Sequence, residues 1–200
     1  MAEDADEVVT YKGVPIEWDA EKTYLNLGCG LKKALGPEWI NVDAYASCDP
    51  DLVWDLNKTP FPWKTNSIDH IYMSHSLEHV KEWWPCFTEC ARILKPGALM
   101  EIRVPDESSR TALTYRDHFH VFSRISFHGI KGQSHGTSAW AIDNQESVPL
   151  EMVSHHLVPH KQYNWMIKWC PWLLKFCGDH LRNFIHEQVF VFRKIGDRNE

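Results

Sequence analysis

Two groups of residues in this chain have the types and spacing to do chemistry. The first is Leu25-Asn26-Leu27-Gly28-Cys29-Gly30, followed by Asp43. An apolar run that ends in Gly-x-Gly reads as a buried strand entering a tight turn, where missing Cβ atoms let backbone approach a ligand. An acidic residue closing the next strand can accept hydrogen bonds from both hydroxyls of a ribose. The second is His75-Ser-Leu-Glu78-His79. On a helix beginning at Ser74, its i, i+3 and i+4 spacing would place two imidazoles and a carboxylate on one face.

Three chemistries fit the second group. Glu78 and His79 can be packed, hydrogen-bonded structural residues. His75, Glu78 and His79 can hold a divalent cation that positions an oxygen acceptor, with a further ligand from His118, His120, His128 or His135. His-x-x-Glu-His is also the signature of an inverted zinc peptidase, which needs it on a longer helix with a distal third ligand. Among the 12 histidines, His118 and His120 are the candidate proton acceptors, since a neutral imidazole takes a proton from a hydroxyl or amine near neutral pH.

The elements that must position these groups follow from the apolar pattern. Strands are expected at Tyr24–Leu27, Trp39–Val42, Asp51–Leu56, Ile68–Met73, Ala98–Val104, Leu150–Val158 and Glu187–Lys194. Between the fourth and fifth, Pro85 suits a first helical turn. Phe87, Cys90, Ala91 and Leu94 continue an apolar stripe, and Lys95-Pro96-Gly97 ends it. Such alternation implies a mostly parallel sheet. Residues 1–20 read as an acidic tail and a short arm around Lys12-Gly13, and residues 21–200 as one domain. Residues 106–145, His-rich and punctuated by glycine, read as an insertion that can fold over the strand ends and form the acceptor site.

Taken in order, Asn26-Leu-Gly-Cys-Gly30, Asn41-Val-Asp43, Asp55-Leu56, Phe61-Pro62-Trp63, Ser67-Ile-Asp69, Ser74-His-Ser-Leu-Glu-His79 and Leu94-Lys-Pro-Gly97 resemble the class I S-adenosylmethionine-dependent methyltransferases, in the type 11-like branch. The resemblance runs from about Leu25 to Pro105. It implies a three-layer α/β Rossmann-like fold, with a mostly parallel seven-stranded sheet whose last strand is antiparallel. It also implies methyl transfer to an oxygen or nitrogen.

By this resemblance, Asn26, Leu27, Gly28, Cys29 and Gly30 line the methionine and ribose of the cofactor. Asp43 and Ala44 bind the ribose side, Asp55 the adenine amino group, Leu56 an adenine ring nitrogen through its N–H, and Ser74 the methionine end. His75, His118 and His120 are the candidate catalytic residues. Quinone O-methyltransferases and small-RNA 2′-O-methyltransferases carry Glu-x-x-Glu-His where this chain has His75-x-x-Glu78-His79, and there the cofactor would be joined by a divalent metal.

The chain departs from the family pattern where Asn26 replaces an acidic residue and Leu31-Lys32 replace a small residue and a third glycine. A catalytically silent, methyltransferase-like binding domain is the alternative these departures favour. A nicotinamide dehydrogenase would need a third glycine where Lys33 stands.

Composition narrows the partners. The chain has 200 residues, 44% hydrophobic and 24% charged, and a formal charge of −6. No Lys/Arg cluster forms the basic stripe that extended nucleic acid requires, which favours a small-molecule or glycan acceptor. Six cysteines without a CxxC pair, an acidic N-terminus and no long apolar run read as a reduced, soluble, cytoplasmic protein. Trp165, Trp169, Trp172, Leu173 and Phe176 follow helical spacing with Lys161, Lys168 and Lys175 alongside. This stripe is expected to pack across the sheet or wall the acceptor pocket, with a membrane-interface contact as the second reading. The oligomeric state is left open.

Overall fold

The structure, a computed structural model, describes residues 10–11, 14–15, 23–31, 39–123, 125–127, 130 and 148–196. His128 and His135 lie outside these residues, as does most of the arm. Its described part is a two-residue ladder, β1 (Thr10–Tyr11) against β2 (Val14–Pro15).

The body is a seven-stranded sheet. Its strands are β3 (Tyr24–Leu27), β4 (Trp39–Asp43), β5 (Leu52–Val53), β6 (Ile68–Ser74), β7 (Leu94–Pro105), β8 (Leu150–Pro159) and β9 (Ile185–Lys194). Their spatial order is β5-β4-β3-β6-β7-β9-β8. β3 through β7 pair in parallel, and β9 runs antiparallel to both β7 and β8. The expected three-layer α/β architecture with an antiparallel last strand is therefore what the chain adopts.

The order reverses at β3, whose neighbours β4 and β6 leave on opposite sides. That is the switch point at which open α/β sheets bind ligands beyond their carboxyl ends. One face of the central strands is fully buried: Leu25, Leu27, Val42, Ile71, Met73, Met100 and Ile102 share it and are essentially inaccessible, while Tyr72, Glu101 and Arg103 between them are only partly buried. The alternation is plainest in Met100-Glu101-Ile102-Arg103-Val104 of β7.

Three boundaries differ from expectation. β5 is only two residues long because its ladder with β4 stops after Asp43↔Val53, and the chain then turns at Leu56. Leu94 belongs to β7 and not to the preceding helix α1 (Trp83–Ile93): its backbone is extended and it pairs with Ile68. The Trp-rich segment is two helices, α3 (Trp165–Trp169) and α4 (Pro171–His180), broken at Cys170-Pro171 because Pro171 starts a new first turn.

The 106–145 segment also contributes to the core. After a short helix α2 (Arg110–Thr114), it supplies Phe122, Phe127 and Ile130 to the main core. Phe127 packs against Phe87, Phe190 and Phe192 with ring centroids 5.3, 4.8 and 5.0 Å away. The segment that covers the strand ends is thereby anchored by burial of large aromatic rings.

Candidate active site

The glycine turn sits at the carboxyl end of β3. Gly28 and Cys29 both donate to the carbonyl of Val42, at 2.8 and 3.0 Å. Gly28 and Gly30 have φ of +73° and +54°, the left-handed region that favours glycine. Their surroundings differ. A Cβ at Gly28 would collide with Ser76 Cβ, whereas one at Gly30 would meet nothing within 4 Å. Gly28 is therefore required by protein packing, and Gly30 opens onto free space.

Asp43, 8% exposed, accepts from Gly30 N at 2.9 Å through one carboxylate oxygen and from Tyr45 N at 3.0 Å through the other. It fixes the turn while its remaining lone pairs stay at the strand end. Ala44 is exposed beside it.

Asn26 and Asn41 are buried opposite one another, and Asn26 Nδ2 donates to Asn41 Oδ1 at 2.9 Å. Asn41 Nδ2 donates in turn to Asp51 at 2.9 Å. A carboxylate only accepts, so this chain orients both amides and assigns the Asn26 NH2 to its neighbour. Asp55 is held below the usual carboxylate range, first by the backbone N–H of Asn57. Leu56 is buried beside it. Asn26, the 28–30 turn, Asp43, Asp55 and Ser74 thus occupy the carboxyl-end edge of β3, β4, β5 and β6.

The His75–His79 segment is not a helix. β6 continues through Ser74, which pairs with Arg103, so Ser74 caps nothing. His75 has φ of +51°, and only Leu77–His79 forms a single 3-10 turn. The cause is the crossing over β3. Ser76 Oγ donates to the carbonyl of Leu27 at 2.9 Å, and its Cβ fills the space against Gly28. The long helix needed by the peptidase reading is not there.

This geometry separates residues that the spacing grouped. His75 turns toward β9: its Nε2 lies 3.0 Å from Glu187 and its Nδ1 3.5 Å from Glu78. The hydrogen bond to Glu187, then the interaction with Glu78, raises its pKa to about 9 against the opposing effect of burial. Glu187 is correspondingly lowered, first by His75, and also pairs with Arg103 at 3.3 Å. His75 donates to Glu187 and forms a longer ion pair with Glu78, a cationic clamp between two carboxylates.

Glu78 and His79 instead meet His118. One ligand atom from each lies within 4.8 Å of the others, and the two rings are edge-on at 4.7 Å. Glu78 is 1% exposed, and beyond the 3.5 Å ion pair with His75 its carboxylate accepts no hydrogen bond among the described residues. His79 Nδ1 lies 3.0 Å from the Asp117 carbonyl. The carbonyl of Glu78 accepts from Phe119 N and His120 N, tying the insertion to this turn. His120 points elsewhere: its Nε2 is 2.8 Å from the Lys81 carbonyl, and its ring packs near Trp83.

These groups border a cavity of about 390 Å³ lined by His75, Glu78, His79, Thr111, Tyr115 and His118 together with His186. Thr111, Tyr115, His186 and Glu187 were missed by the sequence reading. The detectable signal was a His-Glu pair at the head of an otherwise apolar strand. A larger hollow of about 670 Å³ lies under α4. In its lining His155 pairs with Gln188 and Lys175 with Asp179.

The sheet order and a glycine turn at the switch point define a class I methyltransferase fold. Residues 35–102 match the family model described as a methyltransferase domain, type 11. Over that third of the chain the sequence matches a methyltransferase domain, and the fold is that of the class I S-adenosylmethionine-dependent methyltransferases. A comparison with curated protein sequences finds no match.

Similar solved structures include an S-adenosylmethionine-dependent methyltransferase from Archaeoglobus fulgidus, with TM-score 0.61, 12% identity and 88% of each chain covered. Geranyl diphosphate methyltransferase in complex with S-adenosylmethionine gives 0.56 at 13% identity, covering 87% of this chain and 78% of the other. YcgJ of Bacillus subtilis gives 0.52 at 14% identity, covering 90% and 94%. Identities this low speak for the fold.

Proposed function

We propose that this enzyme methylates an oxygen of a small acceptor seated in the 390 Å³ cavity, beside a divalent cation held by Glu78, His79 and His118. The observation that carries the reading is Glu78. A carboxylate this buried, with a 3.5 Å ion pair to His75 and no closer donor among the described residues, is costly, and two imidazoles able to ligate lie beside it. One carboxylate and two imidazoles suit a borderline ion such as manganese, iron or zinc better than magnesium. A bound cation would lower the pKa of an acceptor hydroxyl and orient it.

The chain's own residues supply the rest. Gly30 leaves room for the cofactor, and Asp43 receives the ribose hydroxyls. The 75–79 turn, resting on Gly28 through Ser76, sets the acceptor wall directly against the cofactor turn. The acceptor oxygen attacks the sulfonium methyl in line: an O–CH3 bond forms, the S–CH3 bond breaks, and S-adenosylhomocysteine departs. The hydroxyl proton passes to His186, which lines the same cavity and which burial keeps neutral. The cavity lies near the lower end of small-molecule pockets, which favours a compact acceptor over a polymer.

Calorimetry with S-adenosylmethionine comes first, because failure to bind would leave the silent-domain alternative. Metal titration of wild type, Glu78→Gln and His118→Ala follows, with label transfer to vicinal diols, phenols and amines. Manganese- or zinc-dependent O-methylation lost in both variants is expected. Metal-independent transfer, or amine products, would refute the assignment.

A further inference from the structure

The helix pair α3–α4 is fastened to the end of the β8–β9 ladder by its own small core of Met166, Leu174, Cys177 and Ile185. Its other side carries Trp165, Ile167, Trp169, Trp172 and Phe176, exposed by 56, 53, 75, 72 and 53%. The packing expected of these tryptophans is therefore overturned: the buried stripe is Met166, Leu174 and Cys177, and the large rings face outward. Scattered exposed apolar residues are ordinary, but a run of this density on two adjoining helices is a docking surface.

Charge identifies what it docks to. The chain has formal charge −6, yet residues 152–178 contain no Asp or Glu and include Lys161, Lys168 and Lys175. Lys168 Nζ sits 5.6 Å from the centre of the Trp169 ring. Lys175 pairs with Asp179 at 2.6 Å, so Lys161 and Lys168 carry most of the attraction. Trp combines an apolar ring with an N–H that favours the wet boundary of a bilayer, and lysine stems lie along apolar surface while their ammonium groups meet phosphates. Among the described residues no helix is long and apolar enough to cross a membrane, so contact would be in the interfacial plane.

We infer that α3–α4 seats the enzyme on an anionic bilayer surface. Topology adds a consequence. β9 enters the sheet where β7 leaves it, with Pro105 opposite Glu187, so the helix pair lies at the same edge as His186 and the acceptor cavity. The docked enzyme presents that edge to the bilayer and takes its acceptor there. This rests on the proposed acceptor site for the consequence only; docking itself stands on the helix surface.

The test is co-sedimentation of the full chain with phosphatidylcholine vesicles, with and without phosphatidylserine, alongside Trp169→Ser/Trp172→Ser and Lys161→Gln/Lys168→Gln. Binding only to anionic vesicles is expected, weakened about fivefold per lysine and by about tenfold or more without the two tryptophans. Cofactor affinity and melting temperature should stay unchanged, because these side chains are exposed. Failure to bind anionic vesicles, or equal binding by the variants, would overturn docking. So would a wild-type dimer that the tryptophan variant converts to monomer, since the face would then serve a second copy of the chain. Cation and transfer assays in solution test the active site separately.

Discussion

Replacing Gly28 by Ala should be among the most damaging small substitutions in the molecule, and the contact responsible can be isolated. At φ of +73° an alanine costs about 1–2 kcal/mol for the left-handed backbone. Its Cβ would collide with Ser76 Cβ, adding about 1–3 kcal/mol of overpacking. Displacing Ser76 also breaks its hydrogen bond to Leu27, worth about 1 kcal/mol. The sum, about 3–6 kcal/mol, is a large part of the usual 5–15 kcal/mol or so that holds a domain together. Ser76→Gly alone should cost about 1–2 kcal/mol. The double variant removes the obstructing atom, so urea denaturation of all four proteins should show a favourable coupling of about 2 kcal/mol or more. If Gly28→Ala does not fold by itself, recovery of folding in the double variant carries the same meaning. Additivity within about 0.5 kcal/mol would refute the contact and return Gly28 to a ligand-approach role.

Asp43→Ala should weaken S-adenosylmethionine binding by about 1–3 kcal/mol and also lower the melting temperature, because the carboxylate braces Gly30 and Tyr45; unchanged calorimetric affinity would remove it from the ribose site. Asp55→Ala should weaken cofactor binding with little effect on stability, and an equal loss in both measurements would make it a turn residue. His118→Ala should lower turnover by about 100-fold while His120→Ala, outside the cavity, changes it little; the reverse ranking in steady-state kinetics would misplace the acceptor. Glu89 is buried, which raises its pKa, but its bonds to Arg92 and Phe61 N win and hold it below the usual carboxylate range. Its stabilisation is therefore present above the ordinary carboxylate pKa and lost as pH falls through the depressed value. The melting-temperature gap between wild type and Glu89→Gln should close in acid; a constant gap would refute the pairing.

The sheet was largely legible because its strands carry β-branched, aromatic and other large apolar residues on the face they bury, as in Tyr24–Leu27 and Ile68–Met73. Local pattern failed where long-range contacts decide. His75, Glu78 and His79 have helical spacing, but Ser76 is committed to β3 across the fold, and that single tether holds the segment to one 3-10 turn. His118 and His120 look equivalent in sequence; the bond of His120 to Lys81 sends one ring away from the cavity. His186 and Glu187 were invisible as site residues because the antiparallel pairing of β9 with β7, which brings them to the cleft, cannot be read from a strand's own composition. The tryptophan stripe had the right period and the wrong face, since period alone does not say which side finds a partner.

The seat of Ser76 on Gly28 also has a thermodynamic reach. In the proposed site one side chain belongs to the wall that would meet the acceptor, and the other residue to the turn that would meet the cofactor, with Ser76 packed directly against Gly28. Any acceptor that tightens the 75–79 turn must alter cofactor affinity, and the cofactor must alter acceptor affinity by the same factor. Release of S-adenosylhomocysteine and release of the methylated product are then linked events, with the order of departure governed by whichever ligand loosens its side of this contact first.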